Sequence, residues 1–346
     1  MIESTGKYGL PLNVVFCKKC TMSNQRPNST VEFKQSEKEK KIALAFDEQG
    51  VCDACNYAEL KKKINWKERD QELQELCNRF RRNDGRYDVV IPGSGGKDSV
   101  QAAHILKYKY NMNPLTVTWA PHMYTNIGWK NFTNWMHTGG LDNILFTPNG
   151  KLHRLLTRLA FINLLHPFQP FIVGQRIIGP KIASKFDIPL VIYGENQAEY
   201  GNSSEENNSP LMKPDFFSSD ASKEISLGGV TVKEIIKKYK YSQNDFEPYL
   251  PLEKEEIDKK NIQVMYLGYF LKWDPQECFY YASENTGFRA NTERTEGSYS
   301  KYSSIDDKID PFHYYTTFIK FGIGRATYDA AQEIRNKKID RDEGIA

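Results

Sequence analysis

The run Asp88 to Ser99, DVVIPGSGGKDS, constrains this chain more than any other stretch. It reads as an apolar strand, then a glycine-rich loop, then the start of a helix. Gly93, Gly95 and Gly96 let backbone amides crowd around an anion, and the helix N-terminus that follows adds its partial positive charge. Two hydroxyls, Ser94 and Ser99, flank Lys97 and Asp98. Such a set is hard to explain without a phosphate or its metal. The loop is not a Walker A motif, because that motif needs Ser or Thr after its lysine and here Asp98 follows Lys97. It is not GxGxxG either. ATP hydrolysis of the motor or switch type is therefore disfavoured.

Strand-like and helix-like patterns alternate downstream of Tyr87. Strands are expected at Tyr87–Ile91, Leu115–Trp119, Asn143–Thr147 and Ile188–Tyr193, with further strand character at Ile262–Leu271. Helices are expected at Asp98–Tyr110, Gly128–His137, Leu152–Leu165, Phe171–Phe186 and from Pro275. Such alternation predicts right-handed crossovers and a parallel sheet covered on both faces, an α/β fold. Before it, Leu73, Leu76, Cys77 and Phe80 form one apolar stripe of a helix over Asn65–Arg82, which makes Cys77 a core thiol. Residues 197–260 are polar, with one helix near Val232–Tyr239, and read as an insertion beside the site.

Cys17, Cys20, Cys52 and Cys55 form two CxxC pairs, CKKC and CDAC. Two such turns complete a tetrahedral thiolate site suited to structural zinc, with no position left open for a substrate. The spacer between them predicts a strand at Ile42–Phe46 and a turn at Asp47–Gly50. Six cysteines in 346 residues are too few for a disulfide scaffold. The expected organisation is a zinc knuckle over residues 1–64 and a nucleotide domain over 65–346. A net charge of +3 gives no coat for nucleic acid, so nucleic-acid binding is not expected. No apolar run is long enough to span a membrane, and the opening MIESTGKYGL lacks the pattern of a signal peptide, so the cytoplasm is the expected location.

Ser94 to Ser99 match SGGxDS, the pyrophosphate loop of enzymes that adenylate a carbonyl or amide oxygen. In this the chain resembles GMP synthetase, asparagine synthetase, the tRNA thiolases and the lysidine synthetases. The four-cysteine knuckle, SGGKDS, YGEN at Tyr193–Asn196 and IKFGIGRATYDAAQEIR at Ile319–Arg335, in that order, are similar to the N-acetyl sugar amidotransferases of bacterial surface-polysaccharide and flagellin-glycan synthesis. That resemblance implies a parallel sheet of the HUP (adenine nucleotide alpha hydrolase) type. It also implies ATP with its outer phosphates on Ser94, Gly95, Gly96, Lys97, Asp98 and Ser99, cleavage to AMP and pyrophosphate, and Mg²⁺ held by Asp98.

Trp119, at the end of the second strand, is where the superfamily seats adenosine; a core tryptophan is the competing expectation. Glu195 and Asn196 follow a strand onto the same edge, to orient ammonia, bind metal or cap the next element. Lys320 is expected to close an apolar strand before Gly322, Gly324 and Arg325, offering a cation to the departing phosphates. Arg289, Arg294 and Lys301 lie in a polar loop and suit the diphosphate of a nucleotide sugar. Neither glutaminase nucleophile is apparent: the chain begins Met1-Ile2, and Cys278 sits among large side chains in QECFY. The resemblance supplies the nitrogen through a separate glutaminase and an ammonia-conducting barrel, similar to the pair of histidine biosynthesis. The competing readings are a tRNA-modifying adenylating enzyme and an inactive zinc-dependent interaction module.

Overall fold

The computed structural model describes residues 5–6, 8–36, 39–200 and 208–346. Positions 201–207 of the expected insertion, and the first four residues, lie outside the described residues. Two helices, α1 (Asp53–Lys61) and α2 (Trp66–Phe80), precede the alternating region. There follow β1 (Val89–Pro92), α3 (Lys97–Tyr108), β2 (Pro114–Trp119), α4 (Asn126–His137), β3 (Asp142–Phe146), α5 (Gly150–Leu164), α6 (Gln169–Lys185) and β4 (Leu190–Tyr193). The insertion carries two-residue strands β5 (Ser218–Ser219), β6 (Ser226–Leu227), β7 (Val230–Thr231) and β8 (Leu252–Glu253), with α7 (Val232–Tyr239) and α8 (Lys254–Lys260). Strand β9 (Gln263–Tyr266), α9 (Pro275–Thr286), α10 (Asp310–Phe321), α11 (Arg325–Arg335) and α12 (Arg341–Ile345) complete the chain.

The central sheet has the order β3-β2-β1-β4-β9, with every pairing parallel. This is the α/β architecture the alternating pattern predicts. The period of two sorts its side chains: Val89 and Ile91 pack with α2, α3 and α4 on one face, while Val90, Leu115, Val117 and Trp119 pack with α5, α6 and the insertion on the other. The chain leaves β1 toward one side of the sheet order and later returns to β1's other flank as β4. The carboxyl ends of β1 and β4 therefore bound a topological switch point, where ligands of open α/β sheets bind.

Two expected strands are corrected. The apolar run ending at Lys320 is helix α10, because Asp310 and Pro311 occupy its first turn and Gly322, at φ +66°, caps its end. Its period was hidden because both faces are apolar or aromatic. Phe312, Tyr315, Phe318 and Ile319 face outward, while His313 and Phe321 line a cavity. Between Ile42 and Phe46 the structure has only isolated bridges, Pro27 with Ala43 and Phe46 with Cys52, although the turn at Asp47–Gly50 forms, with the Val51 carbonyl accepting from the Asp47 amide. Cys77 is buried against α2's neighbours, and burial pushes its thiol up to about 12, as suits a core residue.

His153 of α5 is 6% exposed, with Nδ1 on the Tyr249 hydroxyl at 2.8 Å and Nε2 without a partner. Burial and the neighbouring His122 ring bring its pKa down to about 3. The unfolded chain takes up this proton near pH 6.5, whereas the native state resists it until about pH 3. The stability at stake is thus complete above 6.5 and is lost as pH falls toward 3, by up to about 1.4 kcal/mol per pH unit. Urea unfolding between pH 7 and 4 should show a shallower decline for His153→Asn than for the parent; equal slopes would remove His153 from the account.

Candidate nucleotide site

Strand β1 delivers the chain at Pro92 to a loop built on close approach. Gly95 has φ +83°, and a Cβ there would lie 2.7 Å from the Phe132 Cα of α4. Gly95→Ala therefore meets both a left-handed backbone, costing about 1–2 kcal/mol, and a clash that only movement of α4 can relieve. A lowered melting temperature together with weakened ATP binding is expected. Loss of neither would show that the loop is not locked as described. Gly96 precedes α3 with extended dihedrals and no side-chain cap, so the first amides of α3 have no side-chain acceptor.

Lys97 opens α3 and is 8% exposed. Its Nζ lies 2.7 Å from Asp98 Oδ2, while the other oxygen of Asp98 accepts from Trp273 Nε1 at 2.9 Å. Burial opposes the lysine charge, but Asp98 outweighs it and the Lys97 pKa stands above the ordinary lysine value. The end of β4 presses on this turn: a Cβ on Gly194 would lie 2.6 Å from the Asp98 carbonyl oxygen. Glu195 follows, open to the cavity but surrounded by protein, and burial with the like charge of Asp98 raises its carboxyl pKa.

These groups form the floor of a cavity of about 540 Å³, within the usual size of small-molecule sites. Gly128 and Asn131 of α4, residues Tyr302–Asp307 and Asp310, and side chains of α10 and α11 line it, with Asp306 packed against Gly128. The 304–308 segment is fastened to the loop after β2: the Thr125 amide donates to the Asp306 carbonyl at 3.1 Å, and the Lys308 amide to Met123 at 2.9 Å. The Asp307 carboxylate accepts from the His122 amide at 2.7 Å. Burial works against ionisation of Asp307, but hydrogen bonds from His122 and the Ile309 amide outweigh it and hold the carboxyl below the usual range. Asp306, bonded to Ser94, and Asp310 go the other way; burial raises both.

The structure brings Ser94, Gly95, Gly96, Lys97, Asp98, Glu195, Lys320 and Arg325 to this one cavity. Lys320 donates to the Leu164 carbonyl at 2.6 Å, and burial beside Lys41 lowers its pKa to about 8. Arg325 is held by Asp329 at 3.0 Å and by the Tyr314 hydroxyl at 2.7 Å. Other expected residues are not there. The Ser99 hydroxyl turns back to the Gly96 carbonyl at 3.0 Å. Trp119 is 2% exposed and packs on Gly174, Phe146 and Tyr249, so it is a core tryptophan whose side chain does not line the cavity. Asn196 is buried, donating to the Tyr57 hydroxyl at 3.2 Å and accepting from the Ala198 amide, so it joins α1 to this edge without facing the cavity. Arg289, Arg294 and Lys301 are exposed and outside it; Lys301 donates to the Thr292 carbonyl. Asp306, Asp307, Asp310 and Trp273 escaped the sequence reading, although three acids in five residues before Pro311 were a signal.

The four knuckle cysteines are buried, their sulfurs within 4.8 Å of one another. Cys17 and Cys55 are 3.9 Å apart, and Cys20 and Cys52 3.7 Å. A tetrahedron with metal–sulfur bonds of about 2.3 Å has edges of about 3.8 Å, so the set fits a metal. Amides of Lys19 and Cys52 point at Cys17 Sγ, at 3.3 and 3.4 Å. The knuckle shares a core with Ile323 and Ala331 of the tail, and Lys61 of α1 forms a buried ion pair with Glu199.

Residues 296–346 match a family described as LPS biosynthesis protein WbpG-like, C-terminal domain. The tail is thus similar to a WbpG-like C-terminal domain. It contains the whole Ile319–Arg335 run that carries the family resemblance, and it supplies Asp306, Asp310, Lys320 and Arg325 to the cavity wall. An uncharacterized protein of Methanocaldococcus jannaschii is 35% identical over 80 residues, 23% of this chain; the chain spans 28% of that protein's length. Three solved structures align at low scores. The U34-tRNA thiolase NcsA of Methanococcus maripaludis, with its 4Fe–4S cluster, has a TM-score of 0.35 at 11% identity, covering 94% of this chain and 89% of its own. An NH3-dependent NAD synthetase of Campylobacter jejuni has 0.30 at 17%, covering 40% and 59%. A predicted tRNA methyltransferase subunit of M. jannaschii has 0.29 at 16%, covering 57% and 75%. Among the described residues, no helix is long and apolar enough to cross a membrane.

Proposed function

We propose that the chain is an AMP-forming amidotransferase that converts an acetamido group of a nucleotide-activated sugar to an acetamidino group. The observation that carries this reading is the Lys97–Asp98 pair, set in an SGGKDS loop on the floor of a cavity that the WbpG-like domain closes. Expelling oxide from an amide is prohibitive. If the amide oxygen first attacks the α-phosphorus of ATP, pyrophosphate leaves; ammonia then adds to the imidate carbon and AMP departs in place of oxide.

In this scheme the α3 amides and Lys97 take the charge of the outer phosphates, and Lys320, which lines the same cavity, meets further negative charge of the bound substrates. Trp273 holds Asp98 in place. Asp98 and Glu195 repel one another across the loop, so they suit a divalent cation, which would neutralise the leaving pyrophosphate. Glu195 is assigned to take a proton from the attacking ammonia. The four cysteines are assigned to structural zinc, and a partner glutaminase with an ammonia-conducting barrel to nitrogen delivery.

The test incubates the chain with ATP, ammonium and nucleotide sugars bearing acetamido groups, following AMP, pyrophosphate and product charge. Amidine with stoichiometric AMP is expected with ammonium, and none with glutamine alone. Accumulation of ADP would overturn the adenylation step, and turnover of tRNA with no turnover of sugar would move the chain to the tRNA-modifying enzymes.

A further inference from the structure

Arg26, between the two CxxC pairs, is 7% exposed. Its guanidinium lies 5.6 Å from the centroid of the Tyr328 ring, and its Nη1 is buried without a hydrogen-bond partner. Arg335 of α11 lines the same small void. Its Nη2 donates to the Glu199 carbonyl at 3.0 Å, and its Nε is likewise buried without a partner. The void measures about 10 Å³, the space that a single water-sized sphere occupies.

An arginine cannot shed its proton, and a buried cation without a counter-charge costs several kcal/mol. The groups that act most strongly on Arg26, after burial itself, are Tyr328, Arg335 and Tyr200; none is a carboxylate, and Arg335 adds a second positive charge. Glu199, whose carbonyl Arg335 holds, has its carboxylate on Lys61, and that carboxylate and Cys20 offset the Arg335 charge in part, whereas no carboxylate is paired with Arg26 among the described residues. A water could fill the void and satisfy the orphaned N–H groups, but among the described residues it would leave the Arg26 charge without a carboxylate partner.

We propose that Arg26 and Arg335 bind one small monoanion, a halide ion or one oxygen of a carboxylate, at the seam between the four-cysteine subdomain and α11. Two sources can supply it. Solvent can supply a halide, and the cavity can supply a carboxylate, since Tyr200, Tyr328 and Gln332 line both spaces. The anion ties the knuckle to the helix that carries Arg325, and so stiffens the wall of the nucleotide site. This inference stands apart from the amidination reading and survives its failure.

The test is thermal unfolding of the full, metal-loaded chain in sodium gluconate, chloride, bromide and acetate at one ionic strength. A small anion bound only by the native state should raise the melting temperature by about 2 °C for each tenfold increase in its concentration above the dissociation constant. A rise in halide alone identifies the solvent source and should give an anomalous bromide peak between the two guanidinium groups. A rise in acetate identifies a carboxylate. Arg26→Met and Arg335→Met should each abolish the anion dependence, and if one fails to fold the other carries the comparison. Identical melting of the parent in all four salts, or full anion dependence retained in either variant, overturns the site.

Discussion

Lys97→Met should cut AMP formation by at least about a thousandfold, the scale at which removing a preorganised charge at a phosphoryl site acts. Methionine keeps the aliphatic stem in its buried slot, so the loss falls on the ammonium. Without it Asp98 keeps the Trp273 bond but no cation, and Glu195 faces an uncompensated carboxylate. Breaking a fully buried pair by removing one partner costs about 3–5 kcal/mol. Asp98 is 18% exposed at its side chain, so the stability loss should be smaller. The double variant Lys97→Met/Asp98→Asn separates the two effects. Removing both charges should return most of the melting temperature while turnover stays at the single-variant level. The readouts are pyrophosphate release and thermal unfolding, with metal content as a control. Turnover within tenfold of the parent in Lys97→Met would mean that the loop does not hold the phosphates.

The features legible in the sequence are those fixed by neighbours along the chain. The glycine spacing of the loop, the alternation of strand and helix and the two CxxC turns each depend on a few adjacent residues, and each forms as expected. What stayed hidden depends on pairings across long stretches. Trp119 ends a strand at the right edge of the sheet, but Leu115, Val117 and Trp119 share one face, and only the crossover that lays α6 on that face decides that it is core. Asn196 follows the same strand as Glu195, yet the next turn rotates it onto Tyr57, a contact set by how the knuckle docks. Asp306, Asp307 and Asp310 reach the cavity because 304–308 runs beside 122–125, some 180 positions earlier in the chain. No local signal announces that pairing. The exposed Arg289, Arg294 and Lys301 show the converse: suitable chemistry in a loop says nothing of which way the loop faces.

Cys55→Ser should release the knuckle's metal and disturb the nucleotide cavity from a distance. A serine hydroxyl is a poor ligand beside three thiolates, and structural zinc sites of this kind supply much of the folding free energy of their small domains. Here the four cysteines share a core with Ile323 and Ala331, so the knuckle's core is also the support of α11. The Thr21 hydroxyl, bonded to the Thr327 carbonyl at 3.1 Å, and the Lys61–Glu199 pair join the two further. Loss of metal should therefore separate unfolding into two steps: an early one of the knuckle and α11, and a late one of the parallel sheet. The early step should lie at least about 3 kcal/mol below the parent's stability. Because Arg325 and Tyr328 stand on α11, the KM for substrates should rise more than kcat falls, whereas a redox role for the thiols would leave KM unmoved and make turnover depend on reductant. One metal per chain in the parent and none in Cys55→Ser, measured by elemental analysis, completes the test. A metal-free variant that melts in one step at the parent's temperature would show that the four sulfurs hold nothing the fold requires.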